Sequence, residues 1–211
     1  MKRSDSSTSW GSRRSSTASM GIMYRFQSLL SSLLPRSEGK KLVVHVTEFR
    51  IARPELADVD DLLKIIKSTG FFDDLNPESE ECRHDAESVL NSIMQSRDRV
   101  MMVARDEQGH VIGYVAMHFV PYLILRGEEG YLNELFVMSS YRSQGIGSML
   151  LEAAVNEARD RGCKRLHLIN SKRRDSYKRG FYSKRGWRER DYCASFVLNL
   201  EERHENSESV T

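Results

Sequence analysis

Between residues 131 and 169 the spacing of apolar side chains changes period twice, and this constrains the fold more than any other feature of the chain. YLNELFVM, residues 131–138, reads as a strand. After the glycines at 145 and 147, Ile146, Leu150, Ala153, Ala154 and Ala158 recur at helical spacing over residues 145–161, and Gly162 follows as a stop signal. RLHLI, residues 165–169, is a strand again. A strand, a helix and a second strand make a crossover, which admits few topologies. Upstream, RVMMVARDEQGHVIGYVAMHFV predicts two strands, residues 100–105 and 111–120, joined by a turn over 106–110 that contains Gly109. GEEG then separates this pair from the third strand. An antiparallel meander therefore feeds the crossover.

The flanking segments extend the pattern. FRIA, residues 49–52, reads as a strand. Pro54 suits the first turn of a helix whose apolar positions Leu56, Val59, Leu62, Leu63 and Ile66 run to Gly70. Ala86, Val89, Leu90 and Ile93 mark a second helix. Beyond the crossover, a short helix is expected near 175–184, and YCASFVLNL reads as a last strand. The fold class is α/β (α+β), a single domain with a mixed, mostly antiparallel central sheet flanked by helices. Its expected extent is 45–202, with a polar tail over 203–211. Residues 1–44 form a Ser/Arg-rich segment. In its first forty positions Asp5 and Glu38 are the only acids, a composition that buries too little apolar surface to order itself. It also has the character of an organelle-targeting segment, an alternative to a disordered tail or to a start at Met20 or Met23.

Charge narrows the function classes. In 211 residues, 32 basic side chains nearly balance 30 acidic ones, so the chain as a whole does not point to a nucleic-acid partner. No apolar stretch reaches the length of a membrane span. Cys82, Cys163 and Cys193 are odd in number and far apart, which suggests neither a disulfide framework nor a zinc knuckle; a reducing, cytoplasmic setting is expected. The six histidines show no ligand spacing, and no metal is expected.

YRSQGIGS, residues 141–148, places Arg142, Gly145 and Gly147 at the mouth of the helix. Helix N-termini carry unpaired amides and about half a positive charge. Glycines there let an anion approach, the Ser148 hydroxyl adds a donor, and Arg142 can close on the same anion. An ordinary serine and glycine turn is the plainer reading. The spacing matches neither a Walker loop nor a dinucleotide fingerprint.

ELFVMSSYRSQGIGSMLLEAA, residues 134–154, resembles the coenzyme A loop of the GNAT superfamily of N-acetyltransferases, with its [QR]-x-x-G-x-[GA] signature after the fourth strand. FYSKRGW, residues 181–187, is similar to that family's second landmark, and the resemblance covers about 47–200. It implies a GNAT-like domain with a splayed fourth strand and acetyl-CoA as co-substrate. The pyrophosphate would rest on the amides of Arg142, Ser143, Gln144, Gly145, Ile146, Gly147 and Ser148, and pantetheine would pair with the strand edge formed by Leu135, Phe136 and Val137. Many relatives carry an asparagine where this chain has Asp175, so Asp175, Asn170 or Tyr177 would complete that contact.

The resemblance implies direct attack by the amine in a ternary complex, with Tyr182 matching the general acid and Tyr177 as a second candidate. A packed aromatic beside Phe181 is the alternative for Tyr182. Glu134, on the strand face opposite Leu135, is the candidate base, against a solvated strand carboxylate. His118 on the neighbouring strand is a further option. An N–H of Phe136 or Val137 would stabilise the oxyanion.

The expected acceptor is a small-molecule or peptide amine. Asp73, Asp74, Glu78, Glu80 and Glu81 in one loop, and Glu128 and Glu129 before the cofactor strand, are candidates to attract it. KRRDSYKRGFYSKRGWRER, residues 172–190, has nine basic residues and two acidic ones, which raises RNA binding as a weaker alternative. A non-catalytic acyl-CoA-binding module is the other rival. Neither a nucleic acid nor a membrane is expected as partner, and a homodimer is left open.

Overall fold

The computed structural model describes residues 48–72, 75–198 and 200. The expectations for residues 1–44 and 203–211, and for Asp73 and Asp74, lie outside them. The chain divides into two units, one ending at Ile169 and one beginning at Asn170.

The first unit runs β1 (Arg50–Ala52), α1 (Val59–Ser68), α2 (Glu80–Gln95), β2 (Arg99–Arg105), β3 (Val111–Tyr122), β4 (Gly127–Val137), α3 (Ile146–Asp160) and β5 (Arg165–Leu168). The five strands lie in sequence order in one sheet. The first three junctions are antiparallel, and the crossover through α3 makes β4 and β5 parallel. β2 and β3 are buried along most of their length, because helices cover both faces of the sheet. On one face Val59, Leu63 and Ile65 of α1 and Leu90 of α2 close over Val103, Tyr114 and Phe136. On the other, α3 buries Ile146, Leu150 and Ala154. Gly113 lets α3 come this close: a Cβ there would lie 3.2 Å from Leu150 Cδ1 and 3.0 Å from the Phe136 carbonyl oxygen.

Helix boundaries follow local chemistry. Glu55 and Asp58 form a reciprocal capping box at a 3₁₀ turn, Leu56–Asp58, so the helical region begins after Pro54 rather than on it. Buried Asp58 also accepts two bonds from Arg105, at 2.6 and 2.8 Å, tying the start of α1 to the end of β2. Gly162, at φ +78°, ends α3 with the Cys163 amide donating to the Ala158 carbonyl.

Two expectations are corrected. GEEG is not a connection: residues 127–130 belong to β4 and pair with residues 119–122 of β3. Their charges are matched from afar, since Arg161 donates to Glu128 at 2.8 Å and Arg165 reaches buried Glu129 at 2.6 Å. YCASFVLNL forms no strand over its described residues, and Phe196, Val197 and Leu198 are exposed. The aromatic and branched residues carried the strand propensity, but no ladder partner meets them.

The second unit contains α4 (Asp175–Lys178) and a 3₁₀ turn, Ser183–Arg185, closed by Gly186 at φ +82°. The predicted helix over 175–184 is thus two short pieces, broken where Gly180 takes φ +67°.

Candidate active site

The sheet opens where the crossover begins. β5 pairs with residues 129–132 of β4, whereas β4 continues to Val137. A register shift opposite Ala116 and Met117 leaves Asn133 as the extra residue of a bulge, just before Glu134. Beyond it, the side of β4 facing away from β3 has no ladder partner among the described residues. The Met138 amide donates to the Ile112 carbonyl on β3 at 2.9 Å. Since alternate residues direct their backbone groups to opposite sides, Phe136 also faces β3, while Leu135 and Val137 face the open edge. The Phe136 ring is buried in the core. Of the two candidate oxyanion donors, Val137 is the one directed outward.

The loop after β4 meets this edge. Arg142 Nε donates to the Val137 carbonyl at 3.3 Å. Ser143 and Gly145 both adopt the left-handed region, at φ +65° and +89°, and a Cβ on Gly145 would meet nothing within 4 Å. Among the described residues the amides of Ser143, Gln144, Gly145, Ile146 and Gly147 donate no hydrogen bond; Ser148 and Met149 donate to the Gly145 carbonyl. Ile146 anchors the loop through its buried side chain. Behind the loop, Tyr141 Oη donates to buried Asp106 at 3.3 Å, and the Ser139 hydroxyl donates to the Ser68 carbonyl at 2.9 Å. A row of amides left without acceptors among the described residues, beside an arginine and an open strand edge, fits a diphosphate followed by an extended amide-bearing arm.

On the opposite face a cavity of about 610 Å³ lies between α1, α2 and the sheet. Leu62, Ile66, Ala86, Val89 and Ile93 line it together with Glu81, Asp85, Tyr114 and Glu134. Among the described residues the Tyr114 hydroxyl is buried with no hydrogen bond of ordinary geometry, and Glu134 is the side chain that interacts with it. Burial above all, with the neighbouring Glu134 charge adding to it, pushes its pKa far above the usual phenol range. Tyr114 was hidden in the sequence as one more aromatic of a core strand. Because its hydroxyl is desolvated and meets Glu134 without good hydrogen-bond geometry, Tyr114→Phe is expected to raise stability by about 1 kcal/mol. The sign with pH follows from the raised pKa. The stability gained by keeping this phenol neutral is complete below pH about 10 and is lost as pH rises beyond it, where the unfolded chain ionises first. Urea titrations at neutral and alkaline pH check both points, and the alkaline loss is smaller in the variant.

His118, offered as a helper to Glu134, instead stacks on Tyr131, whose ring also meets His167, at centroid distances of 5.0 and 5.3 Å. Glu128 and Glu129 are held by Arg161, Arg165 and His167, which corrects their expected role in attracting an amine. Of the acidic loop, Glu81 lines the cavity, joined by Asp85, which the sequence reading did not single out.

In the second unit Tyr182 is half-buried between Phe181 and Trp187, at ring separations of 4.9 and 5.9 Å. Burial pushes its phenol up to about 12 against a smaller opposing pull from Arg174, so it holds its proton at neutral pH. The Tyr177 hydroxyl donates to Glu189 at 2.9 Å, and Lys172 pairs with the same carboxylate at 2.7 Å. Asn170 accepts from the Ser176 hydroxyl at 3.2 Å, while Asp175 is exposed in the first turn of α4.

These features define a sheet splayed beside a loop of amides left without acceptors among the described residues. A model of the acetyltransferase (GNAT) family matches residues 65–187, and the chain belongs to that family. Thialysine N-epsilon-acetyltransferase of Bos taurus is 35% identical over 72 residues, which span 32% of this chain and 42% of that protein. The same enzyme of Mus musculus is 28% identical across 56% of this chain and 72% of its own length. Aminoalkylphosphonate N-acetyltransferase of Salmonella typhimurium is 37% identical over 38% of this chain and 52% of its own. Among solved structures, a transcriptional regulator from Bacillus halodurans C-125 superposes with a TM-score of 0.60 at 21% identity, covering 72% of this chain and 99% of its own. Glucosamine-6-phosphate N-acetyltransferase from Arabidopsis thaliana gives 0.56 at 19%, covering 72% and 99%. Both superpositions speak to the fold. Among the described residues no helix is long and apolar enough to cross a membrane.

Proposed function

We propose that the protein is an acetyl-CoA-dependent N-acetyltransferase that transfers the acetyl group directly to a primary amine. The observation that carries this reading is the row of amides from Ser143 to Gly147 that donate no hydrogen bond among the described residues, beside the open β4 edge, in a chain whose curated relatives are named N-acetyltransferases. Acetyl-CoA supplies the acyl group as a thioester. Arg142 and the loop amides hold the diphosphate, and Leu135 and the carbonyl of Val137 pair with the arm. The Val137 N–H meets the charge that develops on the acyl oxygen.

The amine must reach the carbonyl uncharged. Glu134 takes its proton, directly or through water, and passes it to solvent. As the carbon–nitrogen bond forms, the carbon–sulfur bond breaks and the sulfur leaves as a thiolate. Tyr182 supplies the proton of the thiol, the nitrogen gives up its remaining extra proton as the amide forms, and that proton restores the Tyr182 phenol through solvent; Asn170 and Asp175 assist in binding the arm, as the family resemblance implies. No covalent acyl-enzyme is needed, and Cys163 does not suit that role. Burial first, and then the Glu128 charge, raise its pKa and keep it a thiol.

Release of coenzyme A thiol in the presence of acetyl-CoA and a panel of amines tests the reading. Release that requires both reactants is expected.

A further inference from the structure

The cavity beneath α1 and α2 bears on the kind of amine accepted, an inference that rests on the transferase reading above. We infer that the acceptor is a primary amine carried on a sizeable uncharged apolar body, an alkylamine or arylalkylamine, with the body between α1 and α2 and the nitrogen at Glu134 and the Tyr114 hydroxyl.

The size and the wall chemistry agree. A volume of about 610 Å³ falls in the range of small-molecule pockets. Two helices and the sheet line it mainly with aliphatic side chains, Leu62, Ile66, Val89 and Ile93 among them. A polyamine or amino sugar laid along Leu62, Ile66, Val89 and Ile93 would set polar groups against aliphatic side chains, and only Asn76, Ser79, Tyr114 and the three carboxylates of the wall could answer them. An apolar body has no such penalty and gains from leaving water.

Charge selects further. The acidic side chains on the wall are Glu81, Asp85 and Glu134, and among the described residues no lysine, arginine or histidine lines it. Arg83 on α2 pairs instead with Asp60 at 3.1 Å and Glu87 at 3.3 Å, and Lys64 on α1 with Asp61 at 3.4 Å. An acceptor with a carboxylate or a phosphonate would therefore meet like charge without a counter-ion, whereas an ammonium is favoured.

Tyr114 and Glu134 form a polar pair in the wall. The Tyr114 hydroxyl is buried beside the Glu134 carboxylate, which interacts with it without closing a hydrogen bond of ordinary length, and its ring leans on Phe136 at 5.7 Å. An incoming amine N–H satisfies that oxygen while the carboxylate neutralises the ammonium. This places the nitrogen at the bulge of β4, where Val137 and the open edge follow within three residues. The apolar wall then leads away from the reacting centre.

The test uses the full chain saturated with coenzyme A and titrated by calorimetry with butylamine, hexylamine, octylamine, 2-phenylethylamine, spermidine and lysine, with thiol release from acetyl-CoA measured in parallel. Affinity is expected to rise about three- to fourfold per added methylene. Spermidine and lysine should bind at least about tenfold more weakly than 2-phenylethylamine. Tyr114→Phe should weaken amine binding about fivefold while raising thermal stability, a pairing that a merely structural tyrosine does not produce. Ala86→Phe, checked for folding by its coenzyme A affinity, should shift the optimum toward shorter amines, and Cys82→Leu serves where that variant does not fold. Apolar amines that bind without releasing thiol remove the transferase reading and with it the acceptor role, leaving the cavity as an apolar-amine binding site only. Lysine or spermidine used as well as octylamine, with no dependence on chain length, overturns the inference and leaves the transferase reading intact. Failure of every amine to bind overturns it as well.

Discussion

Gly147→Trp abolishes acetyl-CoA binding while the fold survives. Gly147 is the second residue of α3, in the row of amides that donate to nothing within the described structure. Ser143 and Gly145 on the same loop hold the left-handed conformations that shape it. An indole at position 147 covers the surface where an anion would settle and turns donors away from it. The core below is untouched in kind, because Ile146, Leu150 and Ala154 still face the sheet. Losing several charge-assisted bonds together is expected to raise the Kd for acetyl-CoA at least about a hundredfold, close to 3 kcal/mol. Calorimetry reads the Kd, and circular dichroism shows the helix content retained. An unchanged Kd would remove the loop from the binding site.

The second large effect is on turnover. Tyr182→Phe is expected to lower kcat about a hundredfold with the acetyl-CoA Kd unchanged. The ring stays packed against Phe181 and Trp187, so only the proton is lost. A phenol held near 12 is a weak acid toward an ordinary thiolate, whose conjugate thiol lies at about 8.5. Withdrawal from water raises the basicity of the thiolate as well, which narrows the gap at the moment the carbon–sulfur bond breaks. Single-turnover rates separate this step from product release. Equal rates in the variant and the parent would return Tyr182 to a packing role.

Local patterns carried the helices, the β2–β3 meander, the crossover and the loop between them, because each depends on neighbours a few residues apart. Residues 165–169 could be read as a strand and Gly162 as a stop without knowledge of the rest of the chain. The bulge at Asn133 could not, since it exists only in the register of β4 against β3. Glu128 and Glu129 looked like turn residues because their partners, Arg161 and Arg165, are more than thirty positions away. Tyr114 followed the strand alternation, yet its lack of a well-formed hydrogen bond depends on what α1, α2 and Glu134 place around it. The cavity is likewise a property of packing between elements, which explains why the acidic loop drew notice and Asp85 did not. YCASFVLNL shows the reverse failure, a strand composition without a ladder.

One measurement bears most directly on acyl transfer by this chain: the stoichiometry of coenzyme A thiol released against N-acetylated amine formed, followed over an amine panel with acetyl-CoA in excess. The expected result is one thiol per acetylated amine, dependent on both reactants, lost with Gly147→Trp and slowed with Tyr182→Phe. Tight coenzyme A binding with no amine-dependent thiol release across the panel would contradict it, and would leave an acyl-CoA-binding protein without transferase chemistry.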